Sequence, residues 1–178
     1  MSAELLRSRI ISTPLGDMSA VSSKQGLHSL VFSESRLFCT PSDTMMSSNA
    51  PYDLSNAILD NIEDELQQYF SGALQSFHTA LAPEGSAFSL SVWQALQEIP
   101  YSKTASYNHI AQTIGRDKAY RAVGTANGLN PLVIVIPCHR IIQANGQMGG
   151  YSAGLERKIW LLNHEKIQSM VRTEDVYA

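Results

Sequence analysis

The feature that most restricts how this chain can fold is an interruption near its middle. Residues from Thr79 to Ala87 are mostly small, contain Pro83 and Gly85, and carry no apolar period. The segments on either side differ in pattern, so each must bury its own apolar face. The expected organisation is an N-terminal domain of residues 1–85 and a C-terminal domain of residues 86–178, sizes that suit a chain of 178 residues.

In the first segment, short apolar runs (Arg9 to Ser12, Leu27 to Phe32) alternate with Gly16, Gly26 and a Pro/Ser-rich stretch from Pro41 to Pro51, a pattern of strands and turns. From Asp53 onward, Leu54, Ile58, Ile62, Leu66 and Tyr69/Phe70 recur at helical spacing with acidic residues between them. The expectation is one amphipathic helix packed on a small sheet, an α/β domain. Cys39 and His28 read as buried filler or surface residues, not as ligands.

In the second segment Phe88, Val92, Trp93, Leu96 and Ile99 resume a helical period. Ser106 heads a short helix, Tyr107 to Ile114, which Gly115 and Arg116 end; Asp117 then stands where it can cap a second helix reaching about Gly128. Two short helices joined by a tight glycine-containing turn have the look of a helix-turn-helix. Leu132 to Ile136 reads as a buried strand or extended segment that delivers Pro137-Cys138-His139-Arg140, and Leu155, Ile159 and Leu162 mark a last amphipathic helix ending near Glu165. This domain is expected to be mostly α.

Composition excludes several classes. The longest uninterrupted apolar run is Leu132 to Ile136 with Pro137, far short of the roughly 20 residues a membrane helix requires. The first residues, with Glu4, Arg7 and Arg9, do not resemble a secretion signal, and the chain is expected in the cytoplasm. Two cysteines, Cys39 and Cys138, make no disulfide framework and have no metal-ligand spacing, so reduced thiols and no metal are expected. The formal net charge of -3 argues against a general nucleic-acid binder, but it is unevenly spread. Residues 1–100 carry 4 Lys/Arg against 11 Asp/Glu, or -7, whereas residues 101–160 carry 7 against 2, or +5.

A cysteine between a rigid proline and a histidine, at the end of an apolar segment, is a candidate nucleophile: the fixed backbone aims the sulfur and the neighbouring base takes its proton. From the tetrapeptide alone, a structural cysteine that happens to precede a histidine is the favoured reading. A free thiol has a pKa of about 8.5, so a reactive role is expected to need a local device that depresses the value for Cys138.

The wider string changes the weight of that reading. Arg121-Ala-Val-Gly124, Asn130-Pro131, Ile136-Pro-Cys-His-Arg140, Gly150-Tyr-Ser-Ala-Gly154, Lys158 and Leu161-Leu-Asn-His-Glu165 together resemble the active-site half of the O6-alkylguanine-DNA alkyltransferases. The resemblance is dense from about Phe88 to Glu165 and thin over residues 1–87. It implies a ribonuclease H-like N-terminal domain, a winged-helix-like C-terminal domain, and direct-reversal DNA repair in which an alkyl group moves irreversibly from O6-alkylguanine, and from O4-alkylthymine, to the protein. It also implies no cofactor, a monomer, and double-stranded DNA as partner, approached from the minor groove.

Residue by residue, the resemblance implies that Cys138 accepts the alkyl group, that His139 takes its proton through a bound water, and that Glu165 orients and charges this relay. Asn130 would brace the turn behind the cysteine. Tyr107 would contact the flipped guanine and protonate it, with Ser106 before it as a phosphate contact or helix cap. Arg121, otherwise an ordinary surface arginine, would be the finger that fills the vacated base stack, since chemistry on a stacked base requires flipping it out. Ala122, Gly124, Thr125 and Ala126 would let its helix lie deep in the minor groove. Tyr151 and Ser152 would form the loop over the base and Lys158 would anchor that loop. The Cys138 and Ile141 carbonyls would accept from the guanine amino group, and Asn127 and Val133 would line the alkyl pocket. Two other readings remain open on the residues: a turnover cysteine hydrolase, and a non-catalytic DNA-binding relative.

Overall fold

The computed structural model describes residues 6–34 and 52–175, with side chains described to residue 171. Cys39 lies outside the described residues. The chain divides into two compact units, Met1–Glu84 and Gly85–Ala178.

The first unit is a three-stranded antiparallel sheet, β1 (Arg7–Ile11), β2 (Met18–Ser23) and β3 (Gly26–Phe32), in the order β1-β2-β3, covered by helix α1 (Leu54–Phe70). Asp53 starts α1 by accepting from the Ser55 amide at 3.0 Å, and Asn56 answers through its side chain from the Asp53 amide at 3.2 Å. Its buried face, Ile58, Leu59, Ile62, Leu66 and Tyr69, follows the period visible in the sequence. The central strand β2 does not stand out in the sequence, because Met18-Ser-Ala-Val-Ser-Ser has small polar residues in place of an apolar alternation. All six are nonetheless buried, and the Ser22 hydroxyl finds its partner in the Ser55 carbonyl of α1 at 2.8 Å.

The second unit is mostly helical. Helix α2 (Ala87–Gln97) is capped by Ser86, and α3 (Tyr107–Thr113) by Ser106, which accepts from the His109 amide at 3.1 Å. Helix α4 (Tyr120–Gly128) packs against both, and Trp93 of α2 donates its indole N–H to the Ala126 carbonyl at 2.8 Å. Asp117 is not its cap: the helix begins three residues later, behind Ala119, with no side-chain cap at all. Two-residue strands β4 (Ala105–Ser106) and β5 (Ile141–Ile142) pair in parallel.

Leu132 to Ile136 is not a strand. The Ile136 amide returns to the Leu132 carbonyl at 2.9 Å, so the segment is a tight buried turn with Ile134 at φ 75°. That conformation is rare and costly for a β-branched residue, and the surrounding contacts must impose it. The last helix, α5 (Leu155–Asp175), runs well past Glu165. Its apolar period misleads as well: Leu155 and Ile159 are exposed, and the buried side chains are Lys158, Leu161, His164 and Glu165.

Candidate active site

The turn before the cysteine is held from inside. Asn130, fully buried, donates from Nδ2 to the Ile136 carbonyl at 2.8 Å and accepts the Leu132 amide on Oδ1 at 3.0 Å. Pro137 then sits at φ -80° and ψ 59°, and the Cys138 amide reaches the Ile136 carbonyl across it at 2.7 Å, an inverse γ-turn. A single 3-10 turn, Cys138–Arg140, follows. Cys138 is therefore set by a proline-locked backbone and is completely buried.

Helix α5 folds back so that Glu165 meets this turn. His139 Nε2 lies 2.8 Å from Glu165 Oε1, with both side chains fully buried. Arg140 clamps the same carboxylate, Nη2 at 2.9 Å and Nε at 3.0 Å, and the Ser102 amide donates to it at 3.0 Å. The guanidinium also donates to the Ile99 carbonyl at 2.7 Å and lies over the Tyr101 ring. Arg140 was visible in the sequence only as the end of the Pro-Cys-His-Arg string. Its task could have been suspected from the rule that a buried carboxylate needs a cation.

These contacts fix the protonation states. Burial alone would raise the Glu165 carboxyl, but the His139 hydrogen bond and the Arg140 charge outweigh it and hold the group down at about 2. Burial lowers His139 in spite of Glu165, so the imidazole is neutral at rest. A neutral ring beside an ionised carboxylate must present Nε2–H to it, which leaves Nδ1 as the acceptor. Nδ1 is buried with no hydrogen-bond partner from the protein.

The expected depression of the Cys138 pKa is not found. Burial pushes the thiol up to about 11, and the Asn130 hydrogen bond and the Lys158 charge offset this only in part. His139 and Glu165 cannot supply the missing cation because at rest the pair is neutral plus negative. At rest Cys138 is accordingly a protonated thiol, not a standing thiolate.

Lys158, buried on α5, donates to the carbonyls of Ile141 at 2.5 Å, Gly149 at 3.3 Å and Gly150 at 3.4 Å, tying down the loop that precedes Tyr151 and Ser152. Of the two carbonyls expected to meet a guanine amino group, that of Ile141 accepts from this ammonium and that of Cys138 from Asn127, each with a second lone pair in hand. The Tyr151 and Ser152 hydroxyl oxygens are buried, and burial followed by the nearby Cys138 raises Tyr151 well above its ordinary value. Tyr107, half-buried, is raised by burial and then by Cys138, so its hydroxyl keeps its proton. Gly149 lies so close that any Cβ there would collide with that hydroxyl, and Gly124 of α4 faces the same ring.

The residues expected on the DNA face are divided by the fold. Arg121, Ala122 and Thr125 are exposed on α4 and Gly124 is partly so, but Ala126 is 3% exposed and packs inward beneath Trp93, and Ser106 serves as a helix cap. Asn127 is buried and donates to the Cys138 carbonyl at 3.4 Å, and Val133 is buried in the turn. The basic excess is also partly internal. Of the seven cations between residues 101 and 160, Arg140 and Lys158 belong to the buried site.

Comparison with known proteins supports what the geometry suggests. Residues 6–83 match the ribonuclease-like domain of 6-O-methylguanine DNA methyltransferase, and residues 87–167 match the DNA-binding domain of the same protein. A methylated-DNA--protein-cysteine methyltransferase of Methanosarcina barkeri is 41% identical over 88% of this chain and 95% of its own. The chain belongs to the 6-O-methylguanine DNA methyltransferase family. Among solved structures of that family, the Mycobacterium tuberculosis O6-methylguanine methyltransferase superposes with a TM-score of 0.77 at 38% identity, covering 92% of this chain and 94% of that one. The M. tuberculosis OGT solved in complex with DNA gives 0.77 at 40% identity over 90% of this chain and 93% of that one. The small-sheet-and-helix domain followed by a helical domain is the fold of this methyltransferase family. Among the described residues, no helix is long and apolar enough to cross a membrane.

Proposed function

We propose that this chain repairs O6-alkylguanine, and O4-alkylthymine, in duplex DNA by taking the alkyl group irreversibly onto Cys138. The observation that carries this reading is the buried run Cys138, His139, Glu165, Arg140, in which an ionised carboxylate fixes a neutral imidazole with a free acceptor nitrogen on the residue that follows the thiol. That arrangement is a proton acceptor waiting for a nucleophile.

In this mechanism Arg121 enters the duplex from the minor groove as the damaged nucleotide rotates out, at a cost of a few kcal/mol. The exposed Ala122 and Thr125 and the adjoining Gly124 let α4 approach closely. Tyr151, Ser152 and the Lys158-anchored loop close over the base, and the Cys138 carbonyl accepts from its amino group. The sulfur attacks the alkyl carbon, the S–C bond forming as the C–O6 bond breaks with its electrons passing to the purine. The thiol proton moves to His139 Nδ1 through a bridging water, and Tyr107 donates a proton to the departing purine. Proton exchange with solvent then restores both groups. The product is a thioether, which water does not hydrolyse, so each molecule acts once, as a monomer and without a cofactor, on DNA within the cytoplasm.

Titrating methylated duplex against the protein, followed by peptide mapping, tests the whole reading. The expected plateau is one methyl group per chain, on Cys138, with none transferred by Cys138→Ala. Continued turnover would identify a cysteine hydrolase, and binding without transfer would identify a non-catalytic lesion binder.

A further inference from the structure

Two arginines of the second unit lie over tyrosine rings, and their surroundings are opposite. The Arg140 guanidinium, 5.6 Å from the Tyr101 ring, is buried and committed to Glu165 and the Ile99 carbonyl. The Arg121 guanidinium lies 5.7 Å from the centroid of the Tyr120 ring on an exposed helix end. Among the described residues it has no ion pair and no side-chain hydrogen bond, so the ring is its only partner. None of Glu98, Asp117 and Glu156, the acidic residues of the second unit before α5's second turn, forms an ion pair with it.

Tyr120 itself has no structural task that explains an aromatic residue there. It opens α4, is 46% exposed, and provides no cap, while Val123 and Ala126 make the packing of that helix. We propose that Tyr120 is a positioning residue for Arg121, an aromatic plate that holds the guanidinium outward before DNA arrives. This rests on the flipping role given to Arg121 above. A cation held over a ring face is attracted by the ring's quadrupole, and this leaves its in-plane N–H donors unspent. A carboxylate partner would orient the arginine equally well but would consume those donors and cancel the charge that phosphates attract. The ring therefore orders a flexible side chain in advance, reducing what must be ordered during insertion, and keeps the donors for the orphaned base.

The experiment is single-turnover transfer from methylated duplex and from free benzylguanine, comparing the wild type with Tyr120→Ala, Tyr120→Phe, Arg121→Ala and the Tyr120→Ala/Arg121→Ala double variant. Tyr120→Ala should slow the duplex reaction roughly two- to fivefold, the worth of an exposed cation–π contact, and leave benzylguanine untouched. Tyr120→Phe should restore the duplex rate, because the ring and not the hydroxyl does the holding. In the double variant the Tyr120 change should add nothing to the larger loss from Arg121→Ala. If Arg121→Ala keeps its selective loss on duplex while Tyr120→Ala reacts at the wild-type rate, or if the two losses multiply, this proposal is overturned and the flipping role stands. If Arg121→Ala slows both substrates equally, the flipping role itself fails.

Discussion

Glu165→Gln separates the chemistry of the site from its architecture. The carboxylate receives only donors: the Ser102 amide at 3.0 Å, His139 Nε2 at 2.8 Å, and Arg140 Nη2 at 2.9 Å and Nε at 3.0 Å. A glutamine keeps one acceptor oxygen but turns an NH2 group toward donors, and it leaves Arg140 buried without a counter-charge. Removing one partner of a buried ion pair costs about 3–5 kcal/mol, about a fifth or more of the roughly 5–15 kcal/mol that holds a domain together. The melting temperature should fall by more than about 10 °C for a unit of this size. Transfer should slow by about a hundredfold or more, since the imidazole loses the anion that fixes its tautomer and supports its protonated form. The rate is measured in single turnover at a temperature where circular dichroism shows the variant folded, and stability separately by urea. Acid adds an independent check. The Glu165 carboxyl is lowered to about 2 in the fold from 4.5, so its contribution is complete above the unfolded value and disappears as pH falls toward 2; the wild type should lose stability there by a step that Glu165→Gln lacks. Wild-type stability with wild-type rate would refute the relay. Lost stability with an intact rate in the folded variant would reduce Glu165 to an anchor for Arg140.

Because burial raises the Cys138 thiol to about 11, its alkylation by iodoacetamide should keep accelerating as pH rises through 8 to 10; a plateau near neutrality, read by mass spectrometry, would mean a standing thiolate and contradict the proton-transfer step. Asn130→Ala strips the turn of its bonds to the Ile136 carbonyl and Leu132 amide and leaves buried groups unpaired, so the urea midpoint should reveal about 2–4 kcal/mol of lost stability. A loss under about 1 kcal/mol would show that the strained turn holds itself. With Arg140 and Lys158 buried, the cations of the basic segment 101–160 left to meet phosphates are Lys103, Arg116, Lys118, Arg121 and Arg157; if these make the contacts, affinity for undamaged duplex should fall with salt along a log–log slope no steeper than about -4.5. A steeper slope in a fluorescence titration would mean a larger interface than these five residues supply.

What the residues determined by themselves was whatever depends on local period and local chemistry. The α1 stripe from Ile58 to Tyr69, the Ser106 cap of α3 and the Pro-Cys-His-Arg string are all contained within a few neighbouring positions, and there steric and hydrogen-bonding preferences act without help from the rest of the chain. Tertiary structure decided whatever depends on what lies opposite. Leu132 to Ile136 has the composition of a strand, yet Asn130 satisfies its backbone from the side and bends it into a turn. Ser22 looks like a solvated residue of a loop and is the interior of a sheet because α1 offers it a carbonyl. Helix α5 shows the limit most plainly: its apolar residues Leu155 and Ile159 face outward, while Lys158 and Glu165 turn inward. Burying a charge is unfavourable until the fold supplies three carbonyls for the ammonium, and an arginine, a histidine and an amide for the carboxylate. These partners are up to 63 positions away in the chain, where no local pattern can announce them.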